Sequence, residues 1–209
     1  MSEIYSKFYS LESEKRERII NASIDEFVRV GFEKASTNEI VKKANISKGS
    51  LFSYFNNKKE LYLFLFENVI EITEQIYEEM DTNETDIFKR LQGVGLIKFK
   101  IIKKYPQAFN FLKAVAQEES TEVKSDIENK IKPLLESGFG RIYQNIDLTK
   151  FRDDIDIQKT INIINWTMLS LAEQQRNKLN SFEEISMDLF SEWDSYFDIM
   201  KRCFYKKED

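Results

Sequence analysis

The chain reads as all-α: an N-terminal three-helix, helix-turn-helix domain over residues 1–60, then a larger C-terminal helical domain over 61–209. Three observations predict this. Only 6 Gly and 2 Pro punctuate 209 residues, so little interrupts long helices. Apolar residues recur at three- and four-residue spacing along most of the chain. Between residues 36 and 60, helix-start signals crowd together, as a unit of short helices joined by tight turns requires.

The first helix carries Ile20, Ile24 and Phe27 on one side. Gly31 followed by Phe32 reads as its C-cap with the usual apolar partner. Ser36 and Glu39 form an S-x-x-E capping box that opens the second helix, whose inner face is Ile40, Val41 and Ala44. Asn45 then supplies a residue tolerant of left-handed backbone, and Ile46 packs inward. Ser47 is the N-cap of a third helix. Leu51 and Phe55, four apart, are its buried side, which turns Gly49, Ser50, Phe52 and Ser53 outward, flanked by Lys48 and Tyr54. Asn57 with Glu60 opens the fourth helix.

That fourth helix is expected from about Lys58 to Met80, with Leu61, Leu65, Val69, Ile72 and Ile76 at helical spacing. A polar break at 81–86 leads to a helix from about Thr85 to Lys104, carrying Phe88, Leu91, Phe99 and Ile102. Pro106 suits a first turn, and Phe109, Phe111, Leu112 and Val115 follow it. The next helix runs through Leu134, Leu135, Phe139, Ile142 and Tyr143, and Pro133 kinks it or resets its start. After a break at 151–156, with Asp154 or Asp156 as N-cap, two helices close the chain. One spans about Ile157 to Leu179. The other spans about Phe182 to Tyr205, with Ile185, Leu189, Trp193, Tyr196, Phe197, Met200 and Phe204.

Composition excludes most chemistry. Histidine is absent, which removes the commonest metal ligand and the commonest base near neutral pH. One cysteine, Cys203, makes neither a zinc site nor a Cys–His nucleophile. No G-x-G-x-x-G or P-loop is present, and the adjacent Glu118 and Glu119 splay apart on a helix. No enzyme, cofactor or metal site is expected. No apolar run reaches the ~20 residues of a membrane span, and the first residues lack an apolar signal-peptide core. A lone cysteine fits a reducing cytoplasm.

Charge adds a positive reading. Residues 34–59 hold six Lys and one Glu, a local net of +5 in a chain whose net charge is −5. A basic segment on an acidic protein suits a module that grips phosphates. A short capped helix with a polar, small-residue outer face suits the DNA major groove.

Residues 15–66 resemble the N-terminal DNA-binding domain of the TetR family of bacterial transcriptional regulators. The resemblance runs without gaps through the Gly31–Phe32 stop, the helix-turn-helix, the Tyr54–Phe55 pair and the Lys58–Leu61 spacing. It implies a homodimer, paired through its last two helices, that binds pseudo-palindromic operator DNA. Such a regulator is usually a repressor that lets go when a small molecule enters the helical domain. By position, Thr37, Tyr54 and Lys58 resemble phosphate contacts. Lys48, Gly49, Ser50 and Phe52 resemble the groove-facing positions. Val41, Asn45 and Phe52 depart from commoner Ala, Gly and Tyr, and the last removes a hydroxyl. An apolar or amphipathic effector is expected among the aromatic-rich helices of residues 85–175, with Phe88, Phe99, Phe109, Tyr143, Trp166 and Met168 as candidate lining. The alternative is a DNA-bound scaffold that recruits a protein and senses no ligand.

Overall fold

The computed structural model describes residues 5–207, the Leu189 side chain excepted. Ten α-helices are described: α1 (Ser6–Tyr9), α2 (Ser13–Lys34), α3 (Thr37–Ala44), α4 (Lys48–Tyr54), α5 (Lys58–Glu78), α6 (Ile87–Lys104), α7 (Pro106–Ala116), α8 (Lys124–Tyr143), α9 (Ile157–Lys178) and α10 (Asp188–Phe204). No strand appears among the described residues, only an isolated bridge between Phe151 and Tyr205. None of the described helices is long and apolar enough to cross a membrane. The chain forms two compact units that interleave in sequence. One contains residues 1–74 and 105–135; the other contains 75–104 and 136–209.

In the first unit, α2 packs against α3 and α7. Ile19, Ile24, Phe27, Phe32, Ile40, Leu51, Phe55 and Leu61 are all buried. Ile19 takes the core place that periodicity gave to Ile20, which is only half-buried. Gly31 stands at φ +74°, where a Cβ is strained, and breaks the helix that surrounds it. The Phe32 N–H beyond this break donates to Glu118 at 2.8 Å, a contact spanning 86 residues of sequence. The Lys59–Asp126 ion pair, at 2.8 Å, ties α5 to α8.

The second unit is organised around Phe88, Leu91, Phe151, Ile164, Met168, Phe197 and Met200. The buried Arg90 guanidinium stitches its loops together. One nitrogen donates to the carbonyls of Ile142, at 3.0 Å, and Gln144; the other donates to those of Thr82, at 3.1 Å, and Glu84. Asp86, one turn earlier, accepts from the N–H groups of Phe88 and Lys89 and from Lys150 at 2.9 Å. Burial pushes its carboxyl up, but those donors outweigh it and hold it below the usual carboxylate range. Asp156 is the N-cap of α9, accepting from Lys159 N–H at 3.1 Å. Pro133 lies inside a continuous α8. The single last helix expected from Phe182 is instead a 3₁₀ turn (Phe182–Glu184) followed by α10.

Candidate nucleic-acid interface

The local geometry of α3 and α4 follows from a few side chains. Asn45 ends α3 in left-handed backbone (φ 54°, ψ 51°), and the Ile46 N–H closes the turn on Val41 O at 3.0 Å. Ser47 caps α4 through Ser50 N–H at 3.0 Å. Asn57 caps α5 through Glu60 N–H at 2.8 Å, while the Glu60 carboxylate reaches back to Asn56. Ser36 departs from expectation. It is the N-cap of α3 by position, but its side chain makes no cap bond. Its own N–H donates to Glu26 Oε1 at 3.0 Å. Burial pushes the Glu26 carboxyl up, yet bonds from Ser36 and Arg29 leave it lowered overall. A buried carboxylate from α2 thus does the work assigned to a local capping box.

With Leu51 and Phe55 buried, α4 presents its other side to solvent. Lys48 and Gly49 are exposed; Ser50, Phe52 and Tyr54 are half-buried along the same short helix, and Thr37 is half-buried at the first residue of α3. Gly49 carries particular weight. A Cβ built there meets nothing nearer than Ser47 Oγ at 3.9 Å, so no packing within the protein requires glycine. Gly49→Ala should therefore raise thermal stability slightly, by up to ~1 kcal/mol of helix propensity. DNA affinity should fall if the backbone approaches a duplex closely. Paired melting and DNA-binding curves check this, and a stabilised variant that binds unchanged would remove Gly49 from the interface.

The lysines are not equivalent. Lys43 pairs with Asp25, and Lys59 pairs with Asp126. Lys34, Lys42 and Lys48 form no ion pair among the described residues, although the Lys48 amine lies 5.9 Å from the Phe52 ring centre. Lys58 donates to the carbonyls of Glu33 (3.0 Å) and Ala35 (3.3 Å) and sits 4.6 Å over the Phe32 ring. These contacts set its charge against the C-terminal end of α2. Lys58→Met should accordingly cost about 1–2 kcal/mol of stability, while the salt slope of DNA binding changes little. A slope reduced by one phosphate's worth would instead make Lys58 a direct contact. Lys15, which sequence reasoning passed over, places its amine 6.0 Å from the Tyr54 ring.

The candidate effector-lining residues are divided between the two units. Phe88 and Met168 are buried in the core of the second unit, with Tyr143 packed against it. Phe99 packs edge-on to Phe190, ring centres 5.5 Å apart. Phe109 is buried in α7 of the first unit. Trp166 is 65% exposed on α9, so it lines no interior space of the second unit. Beside Tyr143 lies a residue the sequence did not single out. Asn165 is 9% exposed and accepts from the Tyr143 hydroxyl at 2.6 Å, while its amide nitrogen has no partner. Burial pushes the Tyr143 hydroxyl pKa up, so it stays a neutral donor. Among the described residues, no cluster of His, Cys, Asp or Glu is arranged to hold a metal ion.

Two short capped helices, a left-handed turn and a basic rim define a helix-turn-helix head on an all-helical chain. Residues 19–64 match the family model of bacterial regulatory proteins, tetR family. The HTH-type transcriptional regulator YdgC of Bacillus subtilis (strain 168) is 34% identical over 82 residues, 37% of this chain and 42% of that protein. The chain thus aligns with less than half the length of this curated relative. Among solved structures, a TetR family transcriptional regulator from Chloroflexus aurantiacus J-10-FL superposes with a TM-score of 0.65 at 22% identity, covering 96% of this chain and 98% of that one. The SmeT–triclosan complex superposes with a TM-score of 0.63 at 14% identity, covering 92% of each chain. Residues 19–64 are thus similar to the DNA-binding segment of TetR family regulators, and the helical fold as a whole is similar to that of solved members.

Proposed function

We propose that the chain is a sequence-specific DNA-binding regulator, acting as a homodimer on a pseudo-palindromic operator and released by a small apolar or amphipathic ligand. One observation carries the DNA-binding reading: α4 buries Leu51 and Phe55 and leaves Gly49 open to solvent with no packing reason to be glycine. Lys48, Ser50, Phe52 and Tyr54 on the same short helix, with Thr37 at the start of α3, supply phosphate and base-edge contacts in this reading. A head with so short a reading helix gains affinity by acting in pairs, since two-fold symmetry doubles the contacts. The exposed apolar stripes of α9 (Ile163, Trp166, Leu169) and α10 (Tyr196, Ile199) support pairing through the last two helices. Repression fits an operator-bound dimer that blocks a promoter.

For the effector, we place the polar anchor at Asn165. Its unpaired amide donor, beside Tyr143 and the apolar group of Phe88 and Met168, suits a mostly apolar molecule bearing one hydrogen-bond acceptor. That SmeT is described in complex with triclosan supports a small-molecule effector for this fold. The test is direct. Duplexes from upstream of the chain's own and neighbouring genes are titrated with protein at several salt concentrations. The reading expects one of them to bind far more tightly than scrambled DNA, with log affinity falling linearly in log salt. Equal binding to every duplex would contradict it.

A further inference from the structure

The matched family segment begins at residue 19, and residues 5–16 pack ahead of it. In α1, Phe8 is 1% exposed. Its ring centre lies 5.1 Å from that of Phe55, 5.1 Å from Phe64 and 6.2 Å from Tyr54. Tyr5 adds contacts at 4.7 Å to Phe64 and 5.8 Å to Phe55. Arg16 secures the far end of this piece, donating to Tyr9 O at 2.6 Å and Leu11 O at 3.1 Å. All of these residues belong to the first unit.

The contact point matters. Tyr54 is the last residue of α4 and Phe55 is its C-cap. At seven residues, α4 has about two turns, too few to hold a fixed orientation without tertiary packing. Its buried grip on the head is Leu51 and Phe55, and Phe8 seats against the second of these. Removing the Phe8 ring leaves Tyr5 as the one ring of this segment against Phe55, thins the packing on Phe64, and takes away a ring beside Tyr54. An aromatic pair in such tilted geometry is worth ~1 kcal/mol beyond its buried area, enough to bias the angle at which α4 is presented.

We propose that residues 5–16 are an intramolecular clamp on the reading helix. In it, Phe8 is a positioning residue for sequence discrimination and makes no contact with DNA itself. The proposal rests on the DNA-binding reading above. It assigns to the segment ahead of the family domain a role in which sequence is chosen, rather than in how tightly phosphates are held. Discrimination depends on placing side chains against base edges within a fraction of an ångström, whereas phosphate attraction tolerates a tilted helix.

The experiment uses the full chain, a duplex selected by the wild type from a randomised pool, and a scrambled duplex of the same length. Phe8→Ala should lower the ratio of selected to scrambled affinity by roughly tenfold, the scale of one misread base pair, with the salt slope unchanged. Phe8→Leu, which refills much of the space, should recover most of the ratio. Arg16→Gln, which loosens the clamp but keeps the ring, should fall between the two. Lys7→Ala should change neither ratio nor slope. Equal losses on both duplexes for Phe8→Ala would mean simple destabilisation and would overturn the clamp. A lower salt slope for Lys7→Ala would also overturn it, by making α1 a direct contact. If Phe8→Ala fails to fold, Arg16→Gln decides, and an unchanged ratio there is fatal. A wild type that selects no duplex would instead sink the DNA-binding reading from which the clamp starts.

Discussion

For the proposed dimer, Leu169→Glu should yield a folded chain that stays monomeric and binds the proposed operator at least roughly a hundredfold more weakly, because affinity on a palindrome depends on both heads engaging together. Leu169 is 64% exposed at the end of an apolar stripe with Ile163, at 43%, and Trp166, at 65%. Three large apolar groups at three-residue spacing share one side of α9. On α10, Tyr196 (39%) and Ile199 (51%) continue the same pattern. Scattered apolar residues on a surface need no explanation, but contiguous ones on paired helices mark an interface. A carboxylate in such a patch would be desolvated in a dimer without a cation opposite, which a dimer does not tolerate. In the monomer the same glutamate is simply solvated, so unfolding should be nearly unaffected. Sedimentation gives the mass and a binding titration gives the affinity. A variant that keeps the dimer mass would place the contact elsewhere.

Arg90→Met should cost on the order of 3–5 kcal/mol of stability, among the larger losses a single exchange produces. Arg90 is 3% exposed and donates to four backbone carbonyls, two ahead of α6 and two at the C-terminal end of α8. Methionine fills the stem's space but offers no donor, leaving four part-buried carbonyls without the partner that holds them together. Arg90→Lys should rescue little, because one ammonium cannot serve the places of a planar fork. Denaturant unfolding, monitored by tryptophan fluorescence, reads the loss, since Trp166 and Trp193 both lie in the second unit. A loss below ~1 kcal/mol would show that water takes over the carbonyls at no great expense.

The features legible in the sequence were those fixed by neighbours in the chain. Ser47, Asn45, Asn57 and Asp156 perform the capping or turning that their types and spacing suggest, because each acts within four residues of itself. The outward and inward sides of α4 follow from Leu51 and Phe55 by simple geometry. What periodicity could not supply was any partnership across long sequence separation. Ser36 was read as a cap, but Glu26, ten residues earlier, holds its N–H. Lys58 resembles a phosphate contact by position, and nothing local reveals that two carbonyls at the end of α2 also receive its amine. Arg90 was overlooked because its carbonyls at 142 and 144 lie more than fifty residues away. The four residues of α1 carry no helical period, so the burial of Phe8 became visible only when Phe55 and Phe64 came into contact with it. The aromatic candidates for an effector site scattered for a related reason. A helical wheel groups residues on one side of a helix, but it does not say whether that side meets a core, a cavity or solvent, as Phe88, Phe99 and Trp166 show in turn.

The account turns on the open side of α4 being the surface that reads DNA. Selection from a randomised duplex pool, run in parallel with the wild type and with Ser50→Arg, tests this most directly. The account predicts a two-fold-symmetric consensus for the wild type, with half-site centres separated by about one helical turn or a multiple of it. It further predicts that Ser50→Arg changes the preferred base at the same position of both half-sites and leaves the spacing alone. A pool that emerges unenriched, or a consensus indifferent to Ser50, would contradict it.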